Sequence, residues 1–251
     1  MNELWKLLKE ICVKTENIGN EVISELGGDM KNDLHFMCKI FSKRQAEQLK
    51  SLNILSENNY NDLILVARSM FEGSIYLANS IKDKDMCLRW RLYSVLHDKK
   101  RMDKEGNAPP EIVDMINKWL PEIDRLFKKK NGEYQKNWHG KTIKDLAANA
   151  GDEFLHFYNN YYSLMSEYHH WDTAAFGKRY KINENYIDEI KSEEVELERV
   201  LAMSMALSSA FATFNLSQKI LNSTRNEKLA GLESELKNIP GTITKTISIS
   251  P

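Results

Sequence analysis

Arg68 and Glu72 are the residues whose placement most invites chemistry. They stand four apart in Leu63–Ala78, a stretch built mostly from Leu, Ile, Val, Met, Phe and Ala. At that spacing the two side chains share one face of a helix. Drawing both charges into an apolar helix costs several kcal/mol per ion, only partly recovered by pairing. A solvent-exposed pair would contribute under about 1 kcal/mol and need no explanation. The pair is therefore either an ion pair fastening helices together or part of a functional pocket. A second segment, residues 138–172, holds four tyrosines and two tryptophans and closes on His169-His170-Trp171-Asp172. Neighbouring residues on a helix point about 100° apart, so at most one of the two histidines can face a given target. Histidine is the side chain best suited to proton transfer near neutral pH. A histidine at a helix C-terminus is also favoured as a cation by the dipole alone.

Other constellations are weaker. Asp152 and His156 form an i, i+4 pair, but two ligands do not make a metal site and no His-Glu-x-x-His motif is present, so no metal is expected. Cys12, Cys38 and Cys87 are far apart and form no Cys-x-x-Cys pair, which fits a reducing cytoplasm. Arg91 and His97 fit an Arg-x(4–6)-His spacing that a chain of this composition produces about once by chance. Lys99-Lys100-Arg101 and Lys128-Lys129-Lys130 are basic clusters that suit contact with phosphates, though both follow helical segments, where solvated cations complementing the dipole are the favoured reading. A Gly-rich phosphate loop, a Gly-x-Ser-x-Gly elbow and a kinase signature are all missing, and no cofactor is expected.

The elements that must position these residues are helical. Eleven glycines and five prolines in 251 residues are few, which disfavours an all-β chain. Apolar residues recur at helical spacing from Leu4 to Leu26, with a stop at Gly27-Gly28. Further helices are predicted at about 33–52, 61–80, 84–100, 111–130, 141–150 and 152–169, then a long one from about Ser192. Pro121 should kink or split the fifth, Thr142 should cap the sixth, and Asp152 should cap the seventh after the Gly151 break. Trp171–Ile190 reads as irregular, and 224–251 as a tail, either disordered or a lone strand. The fold expected is all-α: one bundle-like domain of seven or eight helices over 1–223, self-associating through exposed apolar helix faces. A net charge of −1 gives no general push toward nucleic acid or membranes. The charged N-terminus does not read as a secretory signal, and Leu201–Gln218, apolar but studded with Ser and Thr, reads as a buried helix rather than a membrane span.

One order of motifs carries a resemblance. Arg68-Ser-Met-Phe-Glu72, then Trp138-x-Gly140-Lys141-x-Ile143, Leu146-Ala147, Tyr158 to Tyr162 and Ser166-x-Tyr168-x-His170 resemble an uncharacterised bacterial helical family, domain-of-unknown-function family 5677, over about residues 60–172. The resemblance implies an intracellular all-α protein without an agreed activity. It makes His170 the matching histidine, since His169 stands where the family typically has a small apolar residue. A looser likeness links the chain to the HEPN helical bundles, many of them metal-independent ribonucleases of toxin–antitoxin and phage-defence systems. Their usual Arg-x(4–6)-His is not at the matching place here.

These features lead to an expected function and a rival. In the first, the chain is a HEPN-like ribonuclease or nucleotide-binding effector. His170 acts as general acid or base, Arg68 stabilises charge on the phosphorane, Glu72 orients Arg68, and Ser166 or Tyr168 positions His170. In the second, the same residues form a structural network in a scaffold whose partner is another protein.

Overall fold

The computed structural model describes residues 2–58, 60–163, 165–166, 180–182, 186–189 and 193–239. The elements in chain order are α1 (Asn2–Glu25), α2 (Asp33–Asn58), α3 (Tyr60–Lys82), α4 (Lys84–Glu105), α5 (Pro110–Phe127), α6 (Ile143–Ala150) and α7 (Asp152–Phe157). A π-helical turn, Tyr158–Tyr162, follows α7 directly. Then come β1 (Tyr180–Ile182), β2 (Ile187–Glu189), α8 (Glu193–Ile220) and α9 (Glu227–Lys237). The architecture is all-α, with one small antiparallel hairpin, β1 paired with β2, among the described residues.

Helix α8 is the axis. Ala202, Met203, Ala206, Leu207, Ala210 and Phe211 are all buried, and so are Ser204, Ser208 and Thr213 between them. A helix apolar on every side belongs in an interior. Small residues on α8 let α3, α2 and α1 approach it closely, so it packs chiefly against α3 and then against α2 and α1. It is the one helix among the described residues long and apolar enough to cross a membrane, and 89% of its most apolar window is buried inside the fold. A smaller second core gathers Leu92, Leu96, Ile116, Ile123 and Phe127 between α4 and α5. Trp138 packs against both cores.

Local sequence signals explain most helix ends. Asp83 caps α4 by accepting from the Asp85 N–H, and Gly106, at φ 76°, stops it. Thr142 and Asp145 form a reciprocal capping box at the start of α6. Pro121 does not split α5, which runs through it. Pro121 and Asn117, whose carbonyl loses its donor, are both exposed, so water can replace the missing bond. The N-cap of α7 is Gly151 rather than Asp152. Within the stretch read as irregular lies the β1–β2 hairpin.

Part of the segment read from sequence as a C-terminal tail is helical, and residues 240–251 lie outside the described residues. Residues 227–237, assigned from sequence to the tail, form α9, whose Leu229, Leu232 and Leu236 join the main core. Asn226 caps it, and the buried Glu233 accepts from Asn215 of α8 at 3.0 Å and pairs with Lys237 at 3.2 Å. The three cysteines are buried and free. Burial pushes the Cys38 thiol up to about 12 and the Cys87 thiol up to about 11, which keeps both unreactive at neutral pH.

Candidate functional site

Arg68 and Glu72 meet as their spacing predicts. The Arg68 Nε donates to Glu72 Oε1 at 3.1 Å, and the side chains keep only 15% and 26% of their exposure. Both Leu63 and Ile64, one turn earlier, are buried. The pair therefore lies at the boundary between core and solvent, with desolvation incomplete on the carboxylate side.

The third member of the group comes from the π turn. Tyr162 donates its hydroxyl to Glu72 Oε1 at 2.6 Å and accepts from Arg68 Nε at 3.1 Å. The guanidinium lies over its ring, 5.0 Å from the centroid. The ring packs on Phe71, which also stacks on Phe157, so an aromatic floor fixes the phenol from below. A π turn shifts the phase of a helix by one residue, and such turns recur at functional sites. Ser166, named from sequence as a positioning residue, donates to the Tyr162 carbonyl at 3.0 Å. Among the described residues Arg68 Nη1 is buried with no hydrogen-bond partner.

A loop completes the site. On α4, Arg89 donates Nε to the Trp138 carbonyl at 2.8 Å and its other two nitrogens to the Leu126 carbonyl and the Gln135 side chain. Gly140, at φ +71°, passes directly over that guanidinium. A Cβ there would stand 2.7 Å from both Arg89 Nη2 and Gln135 Oε1. This is the physical meaning of Trp138-x-Gly140. The loop so held sets Trp138 edge-on against Tyr76 of α3 at 4.7 Å, and stacks His139 on the same ring at 5.3 Å. Asn79 then clamps α6 onto α3, donating to the Leu146 carbonyl at 2.8 Å and accepting from Asn149 at 2.6 Å.

Electrostatics in the cluster favour protonated phenols around an acceptor. Burial, and then the Glu72 carboxylate, raise Tyr76 and Tyr162 well above the usual tyrosine range, so both remain donors. Burial lowers His139 below the ordinary histidine value, opposed by a bond to the Lys141 backbone and by Glu72. His139 Nδ1 is buried and has no partner among the described residues. The arrangement thus offers a fixed cation with one uncommitted donor, a shared carboxylate, two phenols and a neutral imidazole.

Arg68, Glu72 and Ser166 gather around Tyr162, while Tyr168, His169 and His170 lie outside the described residues. Tyr76, His139 and the central role of Tyr162 were missed. The pairing of Tyr162 with Arg68 spans 94 positions, and no local pattern announces it. The one available signal was His139 inside the Trp138-x-Gly140 motif. The Arg91 and His97 spacing makes no shared site: Arg91 binds Asp33 at 2.5 Å, and His97 packs edge-on against Tyr93. His156 bonds Asn160 at 3.1 Å. In the basic clusters Lys99, Arg101 and Lys128 are paired with Asp103, Asp98 and Asp124.

An all-α domain with an Arg–Glu–Tyr cluster on its central helices is the class defined so far. A family model described as a family of unknown function (DUF5677) matches residues 35–194, well over half of the chain. The chain belongs to that family. The match begins earlier than the motif order suggested and takes in nearly all of α2, which packs along α3 beside the site. No curated protein and no solved structure matches the chain.

Proposed function

We propose that this chain is a HEPN-like effector that binds RNA or nucleotides and cleaves phosphodiesters without a metal. The observation that carries the reading is Arg68, a largely buried guanidinium held by Glu72 and Tyr162 through Nε while Nη1 has no partner among the described residues. A buried donor without an acceptor is costly, and a non-bridging phosphate oxygen would relieve it. Reaching it requires a shift of the side chains that cover it.

The reaction follows from the groups present. A base takes the proton of a ribose 2′-hydroxyl, and O2′ attacks the adjacent phosphorus. The P–O5′ bond breaks, O5′ receives a proton from an acid, and the products are a 2′,3′-cyclic phosphate and a 5′-hydroxyl. Arg68 offsets the charge that builds on the phosphorane, and Glu72 with Tyr162 holds it in place. His170 is the proton-transfer residue assigned from sequence, with Tyr168 and Ser166 positioning it. His139 adds a second imidazole, whose burial disfavours the charged form. Action in the cytoplasm, within a toxin or phage-defence system, accompanies this reading.

The test is RNA cleavage by purified protein in EDTA. Wild type is expected to cut, while Arg68→Ala and His170→Ala lose at least about a hundredfold in rate, the scale of removing a charge-stabilising donor or a general acid–base. His170→Ala should melt close to wild type, and Arg68→Ala, which gives up the bonds to Glu72 and Tyr162, should lose about 1.5–3 kcal/mol yet stay folded at the assay temperature. A second reading has its own observation: the Arg68–Glu72–Tyr162 bonds tie α3 to the π turn, as a register-fixing network in a protein-binding scaffold would. Early melting of Arg68→Ala with no cleavage by wild type would favour it.

A further inference from the structure

Glu72 has a second setting. It lines a groove of about 450 Å³ between α2 and α3, within the size range of small-molecule sites. Antiparallel pairing of the two helices orders the groove. At one end Gln48 donates to Ser69 Oγ at 2.8 Å; in the middle Gln45 donates to the Met70 carbonyl at 2.8 Å. At the other end Phe41 packs edge-on against Trp90 of α4 at 5.1 Å, near Tyr76. Gly73 forms the floor, and a Cβ there would stand 3.3 Å from Gln45 Nε2. The rim on α2 carries the exposed Lys43 and Arg44, with the exposed Glu47 beside them paired to Arg44 at 3.5 Å.

Two acceptors in this groove are uncommitted. Gln45 is 98% buried, at 2% exposure, and its Oε1 has no partner among the described residues. A carboxylate offers about four accepting positions. On Glu72, Arg68 and Tyr162 occupy two and Tyr76 interacts with a third, which leaves one. A ligand that fits must bring two neighbouring donors, a flat apolar face for the aromatic end, and negative charge for the rim.

We infer that the groove is a guanine-binding subsite. The guanine N1–H and N2–H donate to Glu72 and Gln45, its ring lies toward Tyr76 and Trp90, and its phosphate reaches Lys43 and Arg44. Adenine and cytosine present a lone pair where the carboxylate needs a donor, and uracil has a single N–H between two carbonyls. An amine or guanidinium ligand would use the same acceptors but brings no aromatic ring for Tyr76 and Trp90. The subsite rests on the nucleotide-handling reading above and names its base: the 5′-phosphate of a bound guanosine faces the rim, and its 3′-phosphodiester runs toward the Arg68 cluster that shares Glu72 with the groove.

The experiment is titration of the full chain with guanosine 5′-monophosphate and adenosine 5′-monophosphate, followed by calorimetry and by tryptophan fluorescence. The guanine nucleotide is expected to bind about tenfold tighter or more, the scale of one good paired contact to a base edge. Gln45→Met should abolish that preference. Arg44→Glu, at the exposed rim, should weaken both nucleotides equally and serves if Gln45→Met does not fold. Equal affinity for the two nucleotides, no binding of either, or binding of agmatine instead would overturn the assignment. Guanine binding without RNA cleavage keeps the groove and removes the nuclease. Cleavage at every base without preference for G, with no nucleotide preference, removes the groove and keeps the nuclease.

Discussion

Tyr162 is the residue on which the site turns, because its one hydroxyl serves both charges. It donates to Glu72 at 2.6 Å and accepts from Arg68 at 3.1 Å. Tyr162→Phe keeps the ring on Phe71 but leaves both ions short of a partner. Hydrogen bonds to charged groups are worth about 1.5–3 kcal/mol, so a loss of that order is expected in urea unfolding. A change within error would mean that water replaces the hydroxyl. His139 gives a pH-dependent counterpart. Burial lowers its pKa in the folded chain below the ordinary histidine value. The unfolded chain therefore binds the proton first as pH falls, and stability drops from about pH 6.5 downward until the folded form also titrates. His139→Gln should flatten the slope of unfolding free energy between pH 7 and 5 relative to wild type. An unchanged slope would remove the argument for a buried neutral imidazole.

At the scale of elements, the motif residues are explained by what they let neighbouring segments do. Gly140 permits a left-handed backbone directly above Arg89. Gly140→Ala adds unfavourable φ to a clash with a guanidinium that holds three acceptors. We expect a cost of about 1–3 kcal/mol or more, seen as a lower melting temperature, with loss of Trp138 ordering in its fluorescence. Wild-type melting would show that the loop can re-route. Much of this layer was legible beforehand. The 3.6-residue period located α1 to α6, Thr142 announced its helix, and the apolar run of α8 marked a core helix. What escaped depends on tertiary partners. In α9 only three leucines face inward among charged residues, and its place is secured by Glu233 meeting Asn215 of α8. Pro121 gave a correct local rule that solvent exposure overrode. The π turn has no sequence signature beyond its tyrosines.

For the whole molecule, two cores and one bridging tryptophan set the limits. Trp138 touches the α4–α5 core and the main core, so the loop that carries His139 is also the joint between them. Arg68 and Glu72 were legible as a pair because charges in an apolar helix stand out; their partners were not, because contacts across 90 or more positions leave no local trace. Self-association remains an expectation from the exposed apolar helix faces. Val13 on α1 and Ile54 on α2 are 48% and 61% exposed. Light scattering should give a mass above one chain, reduced by Ile54→Glu. A monomer at all concentrations would discard it.

The most direct measurement of the central claim compares RNA with DNA of the same sequence, incubated with wild-type protein in EDTA and analysed by mass spectrometry. A cluster that activates a ribose 2′-hydroxyl predicts RNA fragments ending in 2′,3′-cyclic phosphate and intact DNA. Uncut RNA from a protein shown to be folded, or DNA cut equally well, would contradict it.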